Sequence, residues 1–150
     1  MKTVFDQSTT AQLVQRIMRL SSSYVPLWGK MTVYQMVHHC IKSERMYLGE
    51  ESYKRLFIGR LFGRMALNSL MKDEAPMEKN QPTHPLFKMT GAGDLEPAKV
   101  QWVTLLERYP TTSSADYAGF VHPFFGHMTA EQVGRYVYKH TDHHLRQFDV

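Results

Sequence analysis

The chain closes on 129-TAEQVGRYVYKHTDHHLRQF-148, and how this stretch is read decides the fold. Thr129-x-x-Gln132 has the form of a capping box, in which a hydroxyl and an amide each satisfy an orphan backbone amide at a helix start. The spacing predicts a final helix from there to about Phe148. Successive helical residues advance by about 100°, so positions i and i+4 sit about 40° apart on one face. His140 and His144 therefore share a face, and Val133, Tyr136 and Val137 lie on that same side. Two imidazoles one turn apart on an inward apolar face can hold a single ion. The pair is not the H-E-x-x-H protease motif, because Thr141, Asp142 and His143 intervene and no glutamate follows the first histidine. A second reading stays open at this point: Lys139, His140, His143, His144 and Arg146 lie near a helix C-terminus, where cations complement the macrodipole.

Working outward, the rest of the chain reads as helices separated by breakers, with no strand signal and no internal repeat. A first helix is predicted from about Ser8 to Leu20, with Leu13, Ile17 and Leu20 at helical spacing, stopping at 21-SSSYVPLWG-29. A second opens on another capping box, Thr32-x-x-Gln35, and runs to about Leu48. A third, from about Tyr53 to Met71, is apolar around much of its circumference, so it calls for burial on more than one side, as in a homodimer interface. Residues 72–94 read as a long loop, and a fourth helix runs from about Leu95 to Tyr109, ended by Pro110. The fold class is an all-α bundle, in one domain spanning residues 1–150.

Composition narrows the function classes. At 43% hydrophobic and 21% charged the chain is that of a folded domain, and no apolar run is long enough to span a bilayer. The N-terminus lacks the apolar run of a signal peptide, so a cytoplasmic protein with no membrane partner is expected. Cys40 is the only cysteine, which excludes a disulfide framework and Cys-based zinc fingers; it is read as a small buried hydrophobe. The net charge of +4 admits anionic partners. The basic residues are nevertheless dispersed, and even 54-KRLFIGRLFGR-64 lacks the density of a nucleic-acid module, so no nucleic-acid partner is expected.

A metal held by His140 and His144 needs a third ligand. The second helix offers 36-MVHHC-40, but adjacent residues diverge by about 100°, and its apolar stripe leaves His38 and His39 on opposite flanks. Helical geometry does not choose between them. His122, in the turn 122-HPFFG-126, either fixes that turn through a backbone hydrogen bond or lines a site mouth. His84 and His127 read as surface residues, Glu44 as a solvated helix residue, and 117-YAGFVHPFF-125 as an exposed aromatic surface.

The segments 26-PLWGKMTV-33, 32-TVYQMVHH-39 and 140-HTDHHLRQF-148, in this order and placement, resemble the DinB-like superfamily. The match is nearest to a branch with a His-Pro-x-Phe-Gly turn. The resemblance implies a four-helix bundle with an additional helix and long loop between the second and penultimate helices. It implies a three-histidine divalent-metal site at His39, His140 and His144, leaving His38 and His143 as neighbours. Nitrogen-only ligation suits zinc or nickel first, then iron or cobalt. Three neutral ligands leave the ion a strong Lewis acid, and ligation weakens below roughly pH 6 as the imidazoles protonate. The expected activity is hydrolysis or thiol transfer on a small-molecule substrate, with His122, Arg146 and Gln147 as substrate-binding candidates and no distinctive general base. The alternative is a non-catalytic metal-stabilised bundle that binds a ligand or partner.

Overall fold

The computed structural model describes all residues from Met1 to Val150. Its helices are α1 (Gln7–Met18), α2 (Val33–Tyr47), α3 (Phe57–Met71), α4 (Leu95–Leu106) and α5 (Ala130–Gln147). Both predicted capping boxes form, at Thr32/Gln35 and Thr129/Gln132. Asp6 caps α1 through the Thr9 amide, two residues ahead of the expected start. The helix α4 ends at Leu106 rather than Tyr109, and the chain then tightens into a 3-10 turn at Tyr109–Thr111 around Pro110.

Helices α1, α2, α4 and α5 form the bundle, and their contacts close a ring: α2 on α4, α4 on α1, α1 on α5, α5 on α2. The core is filled by Leu13 and Ile17 of α1, Met36, Val37 and Cys40 of α2, Trp102 and Leu106 of α4, and Val133, Val137 and Leu145 of α5. Cys40 is fully buried, as read. The additional helix α3 lies outside the ring and touches α5 and the hairpin ahead of it. It packs by a narrow stripe, Gly59, Gly63 and Leu67. The two glycines admit the backbone of Phe124, and a Cβ at either would overlap that residue's carbonyl.

Two expectations need correction. The turn at residues 121–127 is a two-rung antiparallel hairpin, β1 (Val121–His122) with β2 (Gly126–His127), closed by Gly126 at φ +82°. Around it the 117–125 stretch is not an exposed aromatic surface: Tyr117 and Phe125 are core residues and Phe120 and Phe124 pack against them. The apolar surface of α3 is not buried within this chain: Phe57, Ile58, Leu61, Phe62 and Met65 stay exposed.

Two buried lysines explain part of the dispersed basic charge. Lys99 Nζ donates to the carbonyls of Met18 and Leu20, closing the C-terminal end of α1. Lys139 Nζ donates to the carbonyls of Leu70 and Asp73, closing that of α3. Lys139 therefore serves another helix rather than the end of its own. Asp142 joins Arg16 of α1 and Arg146 of α5 at 2.7 Å each, pinning the two helices where the chain ends.

Candidate metal centre

The apolar stripe that buries Met36, Val37 and Cys40 carries His39 inward with it, while His38 stays on the flank against Tyr34. On α5 the stripe of Val133, Tyr136 and Val137 carries His140 and His144 inward in the same way. The three histidines meet between α2 and α5, with relative exposures of 5%, 8% and 7%. One ring nitrogen from each lies within 4.8 Å of the others. His39 Nε2 and His140 Nε2 stand 3.1 Å apart. Two nitrogens bound tetrahedrally to one zinc at about 2.0–2.1 Å would be about 3.3 Å apart, so this pair already has chelating separation.

Hydrogen-bond partners set the tautomers. His39 Nδ1 lies 2.9 Å from the Phe87 carbonyl, which can only accept, so Nδ1 carries the proton and Nε2 is the free donor atom. Gln147 donates its amide to the Trp28 carbonyl at 2.7 Å, which leaves its oxygen to accept from His144 Nδ1 at 3.0 Å. His144 thereby also presents Nε2 to the cluster. This is the outer arrangement that orients metal-binding imidazoles. Burial holds all three rings below the ordinary imidazole range, with neighbouring histidines adding to the effect at His140 and His144. Neutral imidazoles are the form a metal requires, so the competition with protons moves below the pH 6 expected from ordinary histidine. No carboxylate or thiolate belongs to the cluster. The donor set fits a divalent ion of the zinc or nickel type on nitrogen alone.

The other expected residues are placed as follows. His122 is half-buried in its own turn, where Nδ1 accepts from the amides of Phe124 and Phe125 at 3.1 Å each. Burial, with Arg55 and His84 nearby, pushes its pKa down to about 3. Its ring meets Tyr136, which in turn stacks on His140, so it stands one ring away from the triad. Gln147 is buried and engaged between His144 and Trp28. Arg146 binds Asp142 and rims a cavity of about 470 Å³ with Trp28, Met77, Lys79 and His143. His143 separates this cavity from the triad, its ring against Trp28 on one side and His144 on the other. His84 caps the 3-10 turn Pro85–Phe87 that presents the Phe87 carbonyl, and His127 is exposed.

Two features escape a reading of the sequence. One is that the long 72–94 segment reaches the site, through a carbonyl that no side-chain pattern reports. The other is Glu44, which is 1% exposed rather than solvated and accepts from the Tyr109 hydroxyl at 2.5 Å. The Trp102 indole N–H also faces this carboxyl without reaching hydrogen-bond geometry. Burial raises the Glu44 pKa to about 7, against the stabilising hydrogen bond. Its place one turn beyond Cys40, on the buried stripe of α2, was the available signal.

The family model described as the DinB superfamily matches residues 4–148, nearly the whole chain. No curated protein and no solved structure gives a significant match. The match takes in the capped helices, the lead-in at Trp28 and all three inward histidines, and the chain belongs to the DinB superfamily.

Proposed function

We propose that the protein is a metal-dependent enzyme that uses His39, His140 and His144 to hold a divalent ion and acts on a small molecule by hydrolysis or thiol transfer. The observation that carries the reading is a buried cluster of three neutral imidazoles with no fourth protein ligand. Structural zinc sites are closed by four protein ligands, whereas catalytic ones keep a position open. When bound, the ion would supply Lewis acidity undiminished by ligand charge. Around it, Phe87 and Gln147 hold the ring orientations, and Tyr136 and Phe87 keep the cluster dry. Substrate, in this reading, enters from the cavity on the Trp28 side, where Arg146 and Lys79 offer positive charge, and passes the His143 ring to reach the triad. In this reading Arg146 orients substrate, Gln147 acts through His144, and His122 shapes the wall behind Tyr136.

The second reading, a non-catalytic metal-stabilised bundle, is favoured by the low exposure of the triad. Metal per chain, measured on untagged protein, decides the shared premise: close to one equivalent is expected for wild type and close to none for His140→Ala. Equal content in both would refute the triad. A panel of thiol-conjugation, ester and amide substrates then separates the readings. Turnover that disappears with His140→Ala supports the enzyme; metal without turnover across the panel supports the structural role.

A further inference from the structure

The additional helix α3 carries a broad apolar surface that nothing in the chain covers. Phe57, Leu61 and Met65 form one row, four residues apart, at 76%, 61% and 67% exposure; Ile58 and Phe62 form a second, at 52% and 48%. At about 100° per residue these rows lie nearly opposite the stripe of Gly59, Gly63 and Leu67 that seats the helix on the domain. The face thus points squarely away from the protein, as contiguous apolar patches do where a partner binds.

Charge selects the partner. From Ser52 to Lys72 the chain holds five cations and no aspartate or glutamate. Arg55 is turned inward onto the Gly59 carbonyl. Lys54, Arg60, Arg64 and Lys72 are exposed, and none has an acidic partner. The side-chain hydrogen bond of Arg64 goes to the His127 carbonyl. A second copy packed face to face along α3 would set Arg60 and Arg64 against the same cations, since the acids nearest in sequence, Glu51 and Asp73, lie beyond the two ends of the helix. An anionic bilayer surface meets both requirements: an acyl boundary for the five apolar side chains and phosphates for the four cations.

From this we infer that α3 is an interfacial anchor, which seats the protein on anionic phospholipid without spanning the bilayer. No helix is long and apolar enough to cross a membrane, and a surface anchor requires none. The inference stands on the α3 surface alone and is independent of the metal reading.

Sedimentation of the full chain with vesicles tests it. Binding to equal parts phosphatidylcholine and phosphatidylglycerol should exceed binding to phosphatidylcholine alone by about tenfold or more, and weaken several-fold at about 0.5 M salt. The double variant Leu61→Glu, Met65→Glu should lose binding while keeping wild-type circular dichroism and metal content. As a variant that leaves the apolar rows intact, Arg60→Gln with Arg64→Gln should lose the preference for phosphatidylglycerol. The inference is overturned by absence of binding to the anionic vesicles, or by undiminished binding of the Leu61, Met65 variant. It is equally overturned if light scattering finds a wild-type dimer that this variant dissociates, since a second copy then covers the face.

Discussion

Gln147 and Glu44 show how much a single residue's role depends on what surrounds it. Gln147 bridges the Trp28 carbonyl and His144 Nδ1, so it holds the His144 ring in one tautomer and one orientation. Outer partners of this kind are worth about 10–100-fold in metal affinity. Gln147→Leu should therefore weaken metal binding by that order, measured by competition with a chromophoric chelator; unchanged affinity would remove the positioning role. Glu44 has its folded pKa raised to about 7 from an ordinary 4.5, so folding favours the protonated form. Below about pH 4.5 both states hold the proton and nothing is lost. As pH rises toward about 7 the unfolded chain ionises first and stability falls, by on the order of 3 kcal/mol at about 1.4 kcal/mol per pH unit. Urea denaturation of Glu44→Gln should lose most of this decline between pH 4.5 and 8, and a slope equal to wild type would refute it. Neither role was legible in the sequence. The i,i+4 pair His140 and His144 was, because a helix alone determines that they share a face. The choice of His39 over His38 came only with the resemblance, since each flanks the apolar stripe and only the position of α5 makes one flank inward.

At the scale of elements, local rules and long-range contacts divide the work. Capping boxes and apolar periodicity are local, and accordingly the starts of α2 and α5 were legible to within a residue. The ends of α1 and α4 were less so, falling at Met18 and Leu106 rather than Leu20 and Tyr109, while α3 ends at Met71 as expected. Lysines from other helices close α1 and α3, which no local pattern reports. Lys139→Met should leave the Leu70 and Asp73 carbonyls without that donor, costing roughly 1–3 kcal/mol. Hydrogen exchange should show the last turn of α3 opening faster, and protection equal to wild type would contradict the capping role. The hairpin β1–β2 escaped because two residues per strand are too few for an alternating pattern. Gly59 and Gly63 are the contact surface of α3. Gly63→Ala should loosen α3 from the hairpin, at roughly 1–3 kcal/mol of stability read by urea denaturation, because the Phe124 backbone cannot yield as a side chain would.

Across the whole molecule, the three-histidine cluster joins α2 to α5, two helices whose histidines are about a hundred residues apart in the chain. An ion bound only in the folded state stabilises by mass action, about 2.7 kcal/mol at a hundredfold excess over Kd. For a domain of this size that is a rise in Tm of roughly 8 °C. Scanning calorimetry with zinc or nickel should show it for wild type, lose it in His39→Ala, and reverse it on chelation. A Tm indifferent to metal would mean that no ion bridges the two helices.

What the sequence determined by itself was the helical class, the capped starts and the inward pair on the last helix, because periodicity and capping act within a few residues of one another. The resemblance supplied His39 as the third nitrogen; only the tertiary structure decided that Glu44 is buried, that Phe87 and Gln147 orient the histidine rings, and that the apolar face of α3 is left outside. Each depends on which surfaces of distant helices meet, and one helix's spacing carries no record of its neighbour.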